Sequence, residues 1–169
     1  KSIKGQVIQT EPADQLQYKW ILHDGVGYYF PQPAYAKLES KPVTGSWNQV
    51  ALMYKNEAIV APIFSLWLEH GSNPVDQSYA YCLIPQATKQ KMEKLEKAPT
   101  FLVVRNSKEL QCVVSSDRNW GGAIFYKPGK AVLAEEIEAG QPCVVMLKRE
   151  GKVLILSLSD PTQKLGQIK

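Results

Sequence analysis

Histidine, cysteine and long apolar runs are scarce in this sequence of 169 residues, which has two histidines and three cysteines. No apolar run approaches the roughly 18 residues of a membrane-spanning helix, so no membrane partner is expected. The sequence has no H-E-x-x-H metal motif, no G-x-S-x-G nucleophile elbow and no phosphate-binding or dinucleotide-binding loop. It therefore predicts no metal, no cofactor, no nucleic-acid partner and no self-contained catalytic constellation.

The two histidines and a group of glutamates do not indicate catalysis. His23 and His70 both lie beside a glycine-containing turn, where a histidine more often bonds to loop backbone than acts as a base. Glu135, Glu136 and Glu138 are close in sequence, but neighbouring strand residues point to opposite faces of a sheet. We interpret these glutamates as a solvated edge or loop, and we predict no catalytic residue.

The three cysteines, Cys82, Cys112 and Cys143, lie in separate apolar runs. A free cysteine in such a run behaves as a small buried hydrophobe. We therefore expect all three to be unpaired and largely buried; a Cys112–Cys143 disulfide is the alternative.

Short apolar runs rich in β-branched and aromatic residues recur along the chain, separated by Gly, Pro, Asn and Asp. This pattern is typical of an all-β protein. The predicted strands are residues 3–8, 20–23, 26–30, 34–39, 49–54, 58–69, 79–84, 100–105, 110–115, 122–126, 132–136, 142–148 and 152–157.

One segment, residues 87–97, departs from this pattern because it consists of strong helix formers. Thr88 is a suitable N-cap, and Met92 and Leu95 lie three residues apart on one face, as docking of a short helix requires. Pro99 follows, and the residue before a proline is pushed away from helical angles. We predict a short helical connector between two β-rich parts.

The charge balance changes at the same place. Residues 1–88 carry 6 basic and 7 acidic residues, a net charge of 6 − 7 = −1, and residues 89–169 carry 14 and 9, a net charge of 14 − 9 = +5. A basic half attracts polyanions over long range. Most of this charge is lysine scattered among glutamates, however, so we interpret it as an ordinary solvated surface, and attraction of polyanions is the alternative.

Two of the four tryptophans are candidates for contact with sugar. Trp20 and Trp67 lie in apolar strands and are expected in the core, whereas Trp47 and Trp120 lie in turn-rich surroundings. Arg118 comes two residues before Trp120, a pairing that suits an acidic sugar. We name Trp120 and Arg118 as the predicted carbohydrate-binding residues; the alternative is a tryptophan folded back over the core.

The most informative stretch is residues 70–85, HGSNPVDQSYAYCLIP. It follows a run, residues 63–68, that we expect to be a buried strand. Gly71 is expected to adopt a conformation closed to other residues. Strand alternation places Tyr79 and Tyr81 on one face, with Ala80 and Cys82 on the other, as close packing of a second sheet requires. We predict a structural role for this stretch.

Four segments, in this order, resemble the C-terminal all-β part of polysaccharide lyase family eight, which includes hyaluronate, chondroitin and xanthan lyases. They are WILHDGVGYYF at 20–30, GSW at 45–47, the stretch 70–85, and LSLSDPT at 156–162. The resemblance implies the end of a large antiparallel β-sandwich followed by a small C-terminal β-sandwich. On this basis residues 1–86 are the last strands of the central domain, 87–98 the helical connector and 99–169 the C-terminal domain.

The resemblance also implies a function. Members of the family cleave uronate-containing chains by β-elimination, with catalytic residues in a helical toroid that nothing in this sequence matches. We therefore expect a non-catalytic fragment, lacking its N-terminal side, of an extracellular or periplasmic lyase. Its partners would be the acidic polysaccharide, through the full-length enzyme, and the helical catalytic domain, by intramolecular packing. The alternatives are a stand-alone carbohydrate-binding β-sandwich module and a secreted structural or adhesion domain.

Overall fold

A computed structural model of the chain describes residues 7–9, 17–164 and 166–168. These residues form twelve strands, one α-helix and a single 3₁₀ turn, Trp47–Gln49. In chain order the elements are β1 (Val7–Gln9), β2 (Gln17–His23), β3 (Val26–Gly45), β4 (Ile59–Leu68), β5 (Cys82–Ile84), α1 (Lys89–Lys97), β6 (Phe101–Asn106), β7 (Leu110–Ser115), β8 (Trp120–Phe125), β9 (Gly129–Val132), β10 (Glu136–Ala139), β11 (Cys143–Glu150) and β12 (Val153–Ser159).

The fold class predicted from the sequence is confirmed: the sheets are antiparallel and a short helix lies between the two β-rich parts. The chain forms two compact units, one of residues 1–77 and 82–92, the other of residues 78–81 and 93–169. The domain limits predicted at residues 86 and 99 stay a prediction.

The first unit is built on β3, a strand of 20 residues. Its sheet has the order β1-β2-β3-β4, and β5 also pairs with β3. The sequence predicts two strands here, 26–30 and 34–39, because Pro31 and Pro33 interrupt the apolar pattern. The prediction of a break is wrong, since the register with β2 shifts between Tyr18 and Trp20, and this bulge lets both prolines pass without ending the strand.

The core of the first unit lies where β2 and the first half of β3 meet. Its buried side chains are Tyr18, Ile21, Phe30 and Ala36, and Trp20 is buried as predicted. Trp67, also predicted in the core, is 44% exposed. The predictions that residues 63–68 form a buried strand and that Trp67 lies in the core are both wrong, since no residue of β4 is fully buried. Phe64, Leu66 and Leu68 pack half-buried against the core, whereas Trp67 is on the other face, and an apolar run cannot show that only one face is covered.

The predicted strand 49–54 is wrong, because local hydrogen bonds shape this segment as a compact turn. Ser46 and Gln49 form a reciprocal capping box. The Asn48 side-chain amide donates to the carbonyl oxygens of Leu52, at 3.3 Å, and Tyr54, at 2.9 Å. Such side chain–backbone bonds offer the backbone an alternative to a sheet ladder.

The predicted strand 79–84 is shorter in the structure, where only Cys82–Ile84 is a strand. The Tyr79 carbonyl instead accepts a hydrogen bond of 2.9 Å from the Asn106 side chain. The rings of Tyr79 and Tyr81 stack at 6.2 Å, so they share a side as expected. Both rings are more than half exposed, and the expectation that a second sheet packs closely on them is wrong. Gly71 has the predicted left-handed backbone, with φ +74°.

The second unit contains a five-stranded sheet, β12-β11-β8-β7-β6, and the two-stranded sheet β10-β9. Most predicted strands here are confirmed within about two residues, but residues 132–136 are wrong as one strand. The chain turns between β9 and β10, with Leu133 N–H donating to the Glu135 carbonyl. Leu133 lies in this turn but is buried in the core of the unit. The apolar pattern of the sequence therefore continues through the turn. The main buried side chains are Cys112, Val114, Ala123, Phe125, Ala131, Leu133, Ala139, Cys143, Val145 and Leu147.

All three cysteines are unpaired, as predicted. Cys112 and Cys143 are buried, whereas Cys82 is half-buried. Burial raises the pKa of each of the three thiols, which disfavours the reactive thiolate form.

The helix α1 begins one residue after its predicted cap, because the Thr88 hydroxyl accepts a hydrogen bond from Lys91 N–H at 3.2 Å. This is the geometry of an N-cap. Met92 and Leu95 are both buried, as the spacing predicts.

Of the predicted strand 3–8, residues 3–6 lie outside the described residues, and Val7–Gln9 is a strand.

Gly27 offers a test of the packing between the β2–β3 hairpin and Met92. A methyl group added at Gly27 would lie 2.4 Å from the Met92 sulfur and 3.0 Å from the Ala87 methyl. Met92 is fully buried, so its thioether has no open space into which to move. We expect Gly27→Ala to lower the free energy of unfolding by about 1–3 kcal/mol, the usual cost of overpacking, measured by urea denaturation.

The matched control is Gly45→Ala, in the same strand. The nearest atom to an added methyl group there is the Gln49 side-chain oxygen, at 3.9 Å, so this variant should unfold within about 0.5 kcal/mol of wild type. Equal losses in both variants would contradict the predicted contact.

Candidate functional site

The two predicted carbohydrate-binding residues are close in the chain. Arg118 lies on the turn between β7 and β8, and Trp120 is the first residue of β8. The turn is organised by Ser115, a buried polar residue. The Ser115 hydroxyl donates to the Asp117 carboxylate at 2.5 Å and accepts from Trp120 N–H at 3.1 Å. These two bonds fix the position of the Trp120 backbone, from which the indole side chain projects.

Asp117 is the acceptor at the centre of this turn. Besides the Ser115 hydroxyl, it accepts from the backbone N–H of Asn119 at 3.1 Å and from the Asn119 side chain at 2.9 Å. The Ser115 bond, followed by the bonds from Asn119, lowers the pKa of the Asp117 carboxyl below its ordinary value. The carboxylate thus stays ionised, and able to accept these bonds, to lower pH than an ordinary aspartate.

Arg118 is exposed at the tip of the turn, where its backbone is left-handed with φ +59°. A non-glycine residue in this region is uncommon. Its N–H donates to the Ser115 carbonyl at 2.9 Å, which closes the turn. The turn therefore holds a guanidinium in solvent two residues before an aromatic ring.

Trp120 is 39% exposed and faces away from the core of its sheet, since its neighbour Gly121 is buried. It pairs across the ladder with Lys148, whose ammonium lies 2.5 Å from the Glu150 carboxylate. An indole face can stack on the apolar side of a sugar ring, and a guanidinium can bind a carboxylate in two parallel hydrogen bonds. Arg118 and Trp120 together have the groups that an acidic sugar needs.

The two histidines take different positions in the first unit. The ring of His23 stacks on Phe64 at 4.1 Å with an angle of 9° between the planes. His70 lines a groove of about 350 Å³ with Tyr35, Ala36, Lys37, Glu69, Gly71 and Gln77. Sequence reasoning missed this groove, because Tyr35 and Lys37 are more than 30 residues from His70 and meet it only through the pairing of β3 with β4.

The three glutamates near β10 are in exposed ion pairs, as expected for a solvated edge. Glu135 pairs with Arg149, and Lys130 lies 3.6 Å from Glu136 and 3.1 Å from Glu138. In the part of the chain that the structure describes, no group of three His, Cys, Asp or Glu side chains could hold a metal ion. Over the same residues, no helix is both long and apolar enough to cross a membrane.

Two family models match the chain end to end. The model of the polysaccharide lyase family 8 super-sandwich domain matches residues 2–96, and that of the C-terminal beta-sandwich domain of the same family matches residues 102–169. The chain belongs to polysaccharide lyase family 8. The resemblance inferred from the four sequence segments is confirmed.

Individual relatives agree with the family models. The chain is 33% identical over 165 residues to chondroitinase-AC of Pedobacter heparinus, covering 97% of this chain and 23% of the relative. It is 29% identical to xanthan lyase of Bacillus sp. (strain GL1), covering 82% of this chain and 15% of the relative. The chain thus spans less than a quarter of the length of these lyases.

Solved structures show the same fold. A chondroitinase AC lyase matches with a TM-score of 0.78 and 30% identity, over 96% of this chain and 24% of the other. A xanthan lyase of Paenibacillus matches with a TM-score of 0.81 and 25% identity, over 96% of this chain and 17% of the other. The fold of this chain is therefore that of the matching segment of these lyases.

The hydrogen bonds of Asp117 predict a pH dependence of stability. A carboxyl whose pKa is lowered by folding contributes stability that is present above its unfolded pKa, near 3.8, and is lost as pH falls through the folded pKa. We expect Asp117→Asn to lower the melting temperature at pH 7. The difference between wild type and variant should shrink as pH falls below about 4, in thermal melts followed by circular dichroism.

The control for this experiment is Glu57→Gln, since Glu57 lies in an exposed pair with Lys55, 3.9 Å away. This variant should have the same melting temperature as wild type at each pH in that range. A melting difference for Asp117→Asn that is the same at pH 3 and pH 7 would show that the carboxylate charge does not stabilise the turn.

Proposed function

We propose that this chain is the non-catalytic, C-terminal β part of a polysaccharide lyase that cleaves uronate-containing chains by β-elimination outside the cell or in the periplasm. Family membership supports the reaction class, and the relatives are a chondroitinase, a hyaluronate lyase and a xanthan lyase. The chain's share of their length, 23% or less, supports an accessory role.

The chemistry of β-elimination supports a catalytic centre elsewhere in the lyase. A base must lie within hydrogen-bond reach of the proton that it removes from the uronate. The resemblance to the family assigns that base to a helical toroid, and α1, with nine residues, is the one α-helix among the described residues. His23, stacked flat on Phe64, is committed to packing.

The observation that carries the proposed role is a long ribbon in the first unit. The second half of β3 pairs with β4 over ten consecutive positions, from Ala36–Leu68 to Gly45–Ile59. Large apolar side chains are exposed along this ribbon and its tip: Val43, Trp47, Val50, Leu52, Met53, Tyr54, Ile59, Val60, Ile63 and Trp67. Two strands alone are marginally stable in water, and an apolar patch of this extent is typical of an interaction surface.

The positions of two prolines disfavour extension of this ribbon at its edges by a further strand. Glu69 N–H donates to the Tyr35 carbonyl, so that pair is hydrogen-bonded. Antiparallel pairs alternate, and the Pro42–Pro62 pair, seven positions away, is therefore of the other kind, with both nitrogens pointing outward. Neither edge can donate a ladder hydrogen bond there, which blocks strand addition.

We infer that the ribbon packs on the helical catalytic domain of the complete lyase and braces it beside the substrate cleft. The tip is preformed for this purpose, because Asn48 and the Ser46 cap hold the backbone that presents Leu52 and Met53, 89% and 86% exposed. A preformed tip loses little conformational freedom on docking.

Trp120 and Arg118 are the proposed carbohydrate contacts of the fragment. The partly exposed indole and the exposed guanidinium on one turn support this role. Such a site would bind an acidic polysaccharide without turning it over, and would hold the lyase near its substrate.

The isolated chain provides the first test of the proposed function. We expect no release of unsaturated uronate, followed by ultraviolet absorbance, when it is incubated with hyaluronan, chondroitin or xanthan, since the catalytic groups lie elsewhere. The complete lyase is the positive control. Turnover by the isolated chain would overturn the non-catalytic assignment.

The double variant Leu52→Ser/Met53→Ser tests the ribbon as an intramolecular interface. In the isolated chain both side chains are in solvent, so the melting temperature should change little. In the complete lyase each lost burial should cost about 1.5–3 kcal/mol, which should lower its melting temperature and its activity. Val75→Ser, at a loop position 74% exposed, is the control. It should leave the melting temperature of both proteins and the activity of the complete lyase unchanged. If the double variant of the complete lyase keeps the wild-type melting temperature and activity, the interface lies elsewhere.

A further inference from the structure

The groove beside His70 has the composition of a ligand site, and none of the roles above uses it. Its volume of about 350 Å³ lies within the range of small-molecule sites. It is lined by an aromatic ring, an ion pair, an imidazole and a side-chain amide, from Tyr35, Lys37, Glu69, His70 and Gln77. All of these residues belong to the first unit.

The wall of the groove is fixed by the pairing of β3 with the end of β4. Glu69 N–H donates to the Tyr35 carbonyl at 2.8 Å, and the Glu69 carboxylate pairs with the Lys37 ammonium. The pair is accessible, because the side chains of Lys37 and Glu69 are 52% and 40% exposed. An aromatic ring, itself 50% exposed, therefore stands beside an oriented cation.

The other lining residues lie on the loop that follows β4. Gly71, Asn73 and Asp76 all have positive φ, of 74°, 54° and 51°. Asparagine and aspartate adopt left-handed angles more readily than other non-glycine residues, so these three positions let the loop turn repeatedly. The loop carries His70, Gly71 and Gln77, which line the groove.

We propose that this groove binds one ring of a uronate-containing saccharide, with the ring on Tyr35 and the carboxylate on Lys37. An exposed tyrosine ring offers an apolar face to the C–H side of a sugar. The Lys37 ammonium has three donors and can bind Glu69 and a uronate together. Glu69, His70 and Gln77 line the same groove and carry groups that can form hydrogen bonds with sugar hydroxyls. The identity of the sugar rests on the proposed function, in which the parent lyase acts on uronate chains.

Isothermal titration of the chain with hyaluronan and chondroitin tetrasaccharides tests the groove. We expect Tyr35→Ala to weaken binding about tenfold or more, because stacking is lost, and Tyr35→Phe to retain it. Lys37→Met should weaken binding about fivefold or more, while Lys41→Met should not. Lys41 is a matched control, since it lies on the same strand and pairs with Glu39 at 2.9 Å.

A carboxyl-reduced tetrasaccharide isolates the contact with the cation. It should bind wild type more weakly than the acidic form does, and Lys37→Met should make no further difference to it. Absence of wild-type binding, or binding that survives Tyr35→Ala and is lost in Trp120→Ala, would overturn the groove site. Absence of wild-type binding would also contradict the carbohydrate contact proposed for Trp120 and Arg118. Neither result bears on the non-catalytic role or on the ribbon interface, which are tested by turnover of the isolated chain and by the Leu52→Ser/Met53→Ser variant.

Discussion

The structure of the first unit depends on one strand, because β3 forms the ladder to which three other strands attach. Its first half pairs with β2 and β5, and its second half pairs with β4. The first half contributes Phe30 to the core. The second half contributes Ala36 and the partly buried Leu38 and then continues with only β4 beside it. The same strand is therefore scaffold at one end and exposed apolar ribbon at the other.

The two candidate surfaces of the first unit follow from this arrangement. The groove forms where β3 passes from the core to the ribbon, since Tyr35 and Lys37 are neighbours of the last core residue, Ala36. The ribbon begins at that residue and ends at the ordered tip around Asn48. The role proposed for the ribbon is supported by its exposed apolar side chains and by the length of the matched lyases, which are more than four times as long as this chain.

The family, the all-β class, the helix and most strands could be predicted from the sequence. They depend on local signals: β-branched runs, glycine turns and the Thr88 cap. The errors arose where side chains or distant partners overrule the local pattern. Asn48 converts 49–54 into a turn, and the apolar pattern continues through the turn at Leu133. No local signal shows that only one face of β4 packs against the core.

The candidate sites, too, could be predicted from the sequence only in part. Turn residues around Trp120 indicated its exposure, and the structure finds it partly exposed. The hydrogen bonds from Ser115 and Asn119 to Asp117 could not be predicted, because turn geometry decides which groups meet. The groove was beyond sequence reasoning for a different reason: its walls come from strand pairing between residues more than 30 positions apart.

The central claim is that the β3–β4 ribbon is an intramolecular interface of a larger lyase. Hydrogen–deuterium exchange of residues 40–63, compared between the isolated chain and the complete lyase, tests it most directly. The account predicts rapid exchange across the ribbon and its tip in the isolated chain, and at least about tenfold slower exchange in the complete enzyme. Equal exchange rates in the two proteins would contradict it.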